Sequence, residues 1–137
     1  MADATGISYR RYRVLGVIGT GGFGTVYRAR LEGPNGFTRD VAIKLLKDAF
    51  PPPEVLLRLR DEARIMGLVR DRAVVSVDPP MELGGRWAVV MDYVEGASLQ
   101  ALLRQGPLPE AVALEIVAEI ARSLEPENLR QPRWKRH

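Results

Sequence analysis

The stretch Gly19-Thr20-Gly21-Gly22-Phe23-Gly24 constrains this chain more than any other. Four glycines in six residues do not continue a helix, and they mark a tight reversal of the backbone. Tyr12 to Ile18 before it and Thr25 to Leu31 after it read as strands. The spacing of Gly19, Gly21 and Gly24 also spells G-x-G-x-x-G. That string occurs where a glycine turn opens a helix and seats a dinucleotide's pyrophosphate on the helix N-terminus. Here Thr25-Val26-Tyr27 follows, and β-branched and aromatic residues favour a strand. Two readings stay open: an ordinary hairpin turn, or a hairpin whose amides fold over a nucleotide's phosphates without Cβ collisions.

Downstream, the loop Glu32 to Thr38 leads to a third strand, Asp40 to Leu46, which suggests an antiparallel meander. Pro51-Pro52-Pro53 then ends strand structure and opens a helix of about Glu54 to Arg70. Two further strands are expected at Ala73 to Val77 and Arg86 to Asp92, joined around Gly84-Gly85. Beyond Gly96, Ser98 can cap a short helix, Leu99 to Gln105. A longer helix is expected from about Pro109 to Leu124, with Ala113, Ile116, Val117, Ile120 and Leu124 at helical spacing.

Two charged residues stand out from this pattern. Lys44 sits mid-strand in Val41-Ala42-Ile43-Lys44-Leu45-Leu46, where an ammonium must reach water or meet an anion. At 100° per residue, Glu62 falls within the apolar stripe formed by Val55, Leu59, Met66 and Val69. A carboxylate placed there calls for a cation, and Lys44 is the obvious one. The pair could serve the fold alone, or it could serve a phosphate site.

Composition excludes several classes. The 137 residues suit one domain and contain no cysteine, so disulfides, Cys-based zinc sites and thiol nucleophiles are ruled out. His137 is the sole histidine, which leaves no Ser-His-Asp arrangement and no His-rich metal cluster. The net charge is +3 and the arginines are dispersed, apart from a basic tail, Arg130 to His137. Dispersed arginines make solvated faces rather than a nucleic-acid groove, so no nucleic-acid partner is expected. No apolar run approaches the roughly 20 residues of a membrane span. The start, MADATGISYRRYR, lacks the apolar stretch of a secretory signal, so the expected location is cytoplasmic.

Taken together, Ile18-Gly19-Thr20-Gly21-Gly22-Phe23-Gly24-Thr25-Val26, Val41-Ala42-Ile43-Lys44, Glu62 within Asp61-Glu62-Ala63-Arg64, and Trp87-Ala88-Val89-Val90-Met91-Asp92-Tyr93-Val94-Glu95-Gly96 resemble one family. It is the eukaryotic-type (Hanks-type, bacterial-like) serine/threonine protein kinases, and the likeness to their small lobe runs from about Tyr12 to Leu103. The resemblance implies an α+β fold: a five-stranded antiparallel sheet plus one helix, followed by two helices of an incomplete large lobe. It divides the chain into an N-terminal extension (1–11), small lobe with hinge (12–96), helical fragment (97–125) and basic tail (126–137).

The resemblance also implies ATP as ligand, carried with magnesium in the family. Ile18, Val26 and Ala42 would wall the adenine, and Met91 would be the gatekeeper behind it. Backbone groups of Asp92 and Val94 would bond the adenine edge. Lys44, positioned by Glu62, would hold the α- and β-phosphates. The loop Gly19, Thr20, Gly21, Gly22, Phe23, Gly24 and Thr25 would cover the β- and γ-phosphates.

The same comparison exposes departures. No D-F-G and no A-P-E occurs in these 137 residues, and Val69-Arg70-Asp71 imitates H-R-D only superficially. Pro126-Glu127-Asn128-Leu129 resembles the P-E-N-L that follows H-R-D-L-K in the family. Aligned there, the catalytic Asp falls on Ser123, the catalytic-loop Lys on Glu125 and the leucine beneath adenine on Arg130. The pattern implies an internal deletion, a truncated pseudokinase with no catalytic residue and no magnesium ligand of its own. It also leaves the Ile116 to Leu124 face without a partner, which predicts self-association or a protein partner. The alternative function is a non-enzymatic interaction module or a degenerate kinase remnant.

Overall fold

The computed structural model describes residues 10–126. The basic tail and most of the P-E-N-L segment lie outside the described residues. Five strands, β1 (Arg11–Gly21), β2 (Gly24–Glu32), β3 (Thr38–Leu46), β4 (Met81–Leu83) and β5 (Arg86–Asp92), form one antiparallel sheet. Their order across the sheet is β1-β2-β3-β5-β4. Helix α1 (Pro53–Leu68) connects β3 to the segment before β4, and α2 (Leu99–Leu103) and α3 (Glu110–Ser123) follow the sheet.

Alternation along the strands gives the sheet two apolar faces. On one, Ala29, Leu31, Val41, Ile43, Ala88 and Val90 are buried together, with Tyr12, Leu45, Met81 and Leu83 against them. On the other, Leu46 and Val89 pack with Leu59 of α1, flanked by Val55, Leu56, Trp87 and Met91. Helix α1 begins at proline, whose missing N–H suits a first helical position, and Glu54 in its first turn favours the helix dipole.

The glycine stretch is more ordered than an open loop. The β1–β2 ladder runs on to Gly21 opposite Gly24, leaving only Gly22 and Phe23 in the turn. None of these glycines has a positive φ. Within the fold only Gly24 needs the missing side chain. A Cβ on Gly19, Gly21 or Gly22 would meet nothing within 4 Å, whereas at Gly24 it would collide with the Leu45 backbone.

One predicted strand is displaced. Residues 73–77 form no strand; Val77 makes a single bridge to Met91, with Asp78 N–H donating to Val90 O at 2.8 Å. Pro79 and Pro80 have no N–H to continue the ladder. The strand therefore starts only at Met81 and is three residues long. Gly84 and Gly85, with φ of 58° and 77°, form the two-residue turn to β5, which needs positive φ at both positions. Asp71 of the superficial Val69-Arg70-Asp71 match accepts the Ala73 N–H at 2.8 Å and closes the turn after α1.

Ser98 caps α2 as its position predicts, its hydroxyl oxygen accepting the Ala101 N–H at 3.1 Å. Helix α2 stops at Leu103, two residues before the predicted end. Helix α3 is tied to the turn after α1 by Arg72, whose guanidinium donates to Glu119 at 2.8 Å. Arg122 also bonds Glu119. Arg72 first, with Arg122, holds the Glu119 carboxyl below the usual carboxylate range. Among the described residues no helix is long and apolar enough to cross a membrane.

Candidate functional site

Antiparallel register decides which side chains share the face beneath the hairpin. Val26 lies opposite Lys44, and Lys44 in turn lies opposite Val89. Ala42 lies between Arg28 on one side and Met91 on the other. Directly opposed residues point to the same face, so Val26, Ala42, Lys44, Val89 and Met91 share the face that α1 covers in part. The hairpin tip is anchored over the end of this row, because Phe23 O accepts the Lys47 N–H at 3.1 Å.

Lys44 Nζ stands 3.7 Å from Glu62 Oε2. That is an ion pair beyond hydrogen-bond reach, so the ammonium keeps donors for another acceptor. The expected burial of Glu62 is not observed. Its side chain is 68% exposed and that of Lys44 is 33% exposed. Glu62 sits on the shoulder of the α1 stripe, where only Leu59 and Ala63 are fully buried. A partly solvated pair of this kind contributes little to stability and is free to rearrange around an anion.

A cavity of about 340 Å³ opens beside the pair, lined by Lys44, Leu59, Glu62, Ala63, Met66 and Met91, with Ile65, Val77 and Val89. A smaller one of about 60 Å³ lies between Phe23, Lys44, Leu46, Val55, Arg58, Leu59 and Glu62. The structure thus brings Phe23, Lys44, Glu62 and Met91 together. Ile18, Val26, Ala42, Asp92 and Val94 do not line either cavity. Ile18 falls at a register shift of β1 and is half exposed. Gly19, Thr20, Gly21, Gly22, Gly24 and Thr25 lie along the hairpin ladder around its tip. Asp92 gives its N–H to Ser76 O at 3.0 Å, and Val94 is exposed just beyond β5.

The arrangement can seat an apolar ring and an anion side by side. It offers a half-buried lysine, a hairpin with open space around its glycines, and a largely apolar cavity wall.

A charged cluster on the same face was not anticipated from the sequence. Arg28 donates to Asp40 Oδ2 at 2.8 Å and Arg30 to Asp40 Oδ1 at 2.9 Å. The Arg28 guanidinium also lies 4.6 Å from the centre of the Tyr93 ring. Its signal was the basic alternation Arg28-Ala29-Arg30 facing Asp40 across the hairpin. Arg28, then Arg30, holds the Asp40 carboxyl below its ordinary pKa of 3.8. A depressed carboxylate stabilises the fold above its unfolded value and loses that contribution as pH falls through the folded one. Thermal melts from pH 6 down to pH 3 are expected to show a stability loss that Asp40→Asn diminishes. Equal acid sensitivity in both proteins would count against the cluster's role.

The sequence profile described as protein tyrosine and serine/threonine kinase matches residues 12–127. The chain is 37% identical over 115 residues to serine/threonine-protein kinase pkn2 of Myxococcus xanthus, covering 83% of this chain and 14% of that protein. It is 35% identical over 130 residues to serine/threonine-protein kinase PknD of Mycobacterium tuberculosis, covering 91% and 19%. With PknE of Mycobacterium bovis it shares 34% over 122 residues, covering 88% and 21%. The chain therefore spans about a fifth or less of the length of these curated relatives.

Proposed function

Because the chain belongs to the protein tyrosine and serine/threonine kinase family, we propose that its sheet and α1 bind ATP and that these 137 residues transfer no phosphoryl group by themselves. The sheet with α1 is the family's small lobe, and α2 and α3 belong to its large lobe. The observation that carries the ATP reading is the position of Lys44. Its ammonium sits between the glycine hairpin and Glu62, at the edge of an apolar cavity.

In this reading Lys44 holds the α- and β-phosphates while the carboxylate of Glu62 keeps the ammonium extended towards them. The amides from Gly19 to Thr25 cover the remaining phosphates, and the bare glycines leave room for that approach. Ile18, Val26 and Ala42 form the upper wall for adenine. Met91 closes its back, and the backbone of Asp92 and Val94 takes the adenine edge. The family uses ATP with magnesium. Among the described residues no three His, Cys, Asp or Glu groups converge.

Inactivity of the isolated chain is supported by Ser123, which the P-E-N-L alignment sets where the family has its catalytic Asp. Its hydroxyl donates to Ile120 O at 2.7 Å within the last turn of α3, and a serine lacks the basicity to take a substrate proton. Glu125 reverses the charge of the catalytic-loop lysine. Isothermal titration with ATP and magnesium is expected to give one site. Labelled phosphate offered with a basic protein substrate is expected to stay in the nucleotide. Heat-silent titration would overturn the binding reading, and labelled protein the inactivity.

A second reading, an interaction module, is favoured by one feature. Leu114, Val117, Ile120 and Leu124 of the α3 region are all at least half exposed. Apolar side chains in such number on one helix favour association. Light scattering is expected to show concentration-dependent assembly that Ile120→Glu weakens. Monomers at every concentration would end this reading.

A further inference from the structure

The segment that follows β5 is held to the sheet by little of its own backbone. Asp92 is the last residue paired with β3, opposite Val41, and it gives its N–H to Ser76 O. Tyr93, Val94 and Glu95 lie beyond the last paired residue of β5, and regular structure resumes at the Ser98 cap of α2. Gly96, at φ 145°, adds a position that swivels without penalty. Yet this is the stretch whose peptide groups must be fixed if they are to read one edge of a base.

The contact that reaches it comes from two strands away. Arg28 on β2 passes beneath the sheet and places its guanidinium 4.6 Å from the centre of the Tyr93 ring. Asp40 on β3 fixes the other side of Arg28 through a 2.8 Å bond, and Arg30 fixes Asp40 at 2.9 Å. Arg28 Nε is buried with no hydrogen-bond partner, so that part of the guanidinium is committed to packing. Glu95, in the same segment, acts on Arg28 with its negative charge. The cluster is therefore a strut running Arg30–Asp40–Arg28–Tyr93.

We infer that Arg28 is a positioning residue for the nucleotide base, holding the peptide groups of residues 92–95 through its contact with the Tyr93 ring. The inference rests on the ATP reading above. Arg28 touches no phosphate in it, since Lys44 lies one row further along the face, opposite Val26. Loss of the strut should thus weaken recognition of the base and leave attraction for the phosphates intact. Stacking of a cation on an aromatic ring with a fixed counter-ion is of the strength to change affinity several-fold.

The test compares wild type, Arg28→Leu, Arg28→Lys and Tyr93→Leu. Hydrogen exchange of the nucleotide-free chain is expected to speed up about fivefold or more at the residue 93 amide, which follows the last β3–β5 pair, in Arg28→Leu and Tyr93→Leu. The amides of Val41 and Ile43 should stay protected, and Arg28→Lys should recover part of the effect. ATP affinity is expected to fall about fivefold to tenfold in both leucine variants, with inorganic tripolyphosphate affinity unchanged. Unchanged exchange at residue 93 would overturn the strut. An equal loss of ATP and tripolyphosphate, or no loss of ATP affinity, would overturn the positioning role. A wild-type chain that binds neither ligand would overturn the ATP reading and this inference with it. The exchange data separate that outcome from failure of the strut.

Discussion

Lys44→Ala is expected to remove half or more of the ATP-induced rise in melting temperature. At an ATP concentration of about 100 times Kd, a single site stabilises the folded state by about 2.7 kcal/mol. Hydrogen bonds from a charged group contribute about 1.5–3 kcal/mol each, so losing the ammonium weakens binding roughly ten- to a hundredfold. The shift then shrinks to between about a half and about a seventh of its wild-type size at the same concentration. The unliganded protein should melt almost unchanged. The Lys44–Glu62 pair is 3.7 Å apart and partly solvated, and pairs of that kind add little to the fold. Lys44→Met keeps more of the packing of the side-chain stem and should behave alike. An unaltered ATP shift in both variants would mean that the cation between hairpin and helix has no ligand.

Gly24→Ala is expected to cost far more than any other single-methyl change in the hairpin. An added Cβ would lie 3.0 Å from the Leu45 carbonyl carbon and 3.1 Å from Leu46 Cα, and closer still to the Leu45 oxygen. All three are backbone atoms of β3, so no side-chain rotation relieves the overlap. The two strands must separate where Gly24 opposes Leu46. Overpacking of this sort costs about 1–3 kcal/mol or more, which for a domain of this size is on the order of 10 °C in Tm. Lys44 lies two residues from the disturbed end, so ATP binding should weaken as well. Gly21→Ala and Gly22→Ala meet open space and serve as controls. Equal melting temperatures for all three variants would refute the close approach.

Much of this architecture is legible in the sequence because local chemistry and global pairing agree. The strands around the glycine stretch, the third strand with Lys44 and the fifth strand all read correctly, since β-branched runs there are bounded by clear turn residues. Ala73 to Val77 misleads for the opposite reason. Val74, Val75 and Val77 have strand-like composition, but pairing is decided by Pro79-Pro80 and by the Gly84-Gly85 turn, which sets Leu83 opposite Arg86. Lys44 and Glu62 could be paired from periodicity alone. Their exposure could not, because a helical wheel gives a direction and not the depth of what lies there. The strut from Arg28 to Tyr93 joins residues 65 positions apart through a β2-β3-β5 order, and no local pattern encodes it.

The two register shifts in β1, at Val14/Gly16 and Val17/Gly19, bear on how this sheet behaves in a crowded solution. β1 is an edge strand of 11 residues, with Val14, Leu15, Val17 and Ile18 all exposed. A straight strand of that length and composition would offer a neighbouring chain a long template for β-addition. Bulges bend and twist the strand and leave some of its donors out of line, so only short pieces of edge are presented at a time. At the opposite edge, β4 offers three residues behind two prolines. Both borders of the sheet are thus poor growth points for strand-by-strand aggregation. That protection comes from backbone geometry, and it holds even where the exposed side chains are apolar.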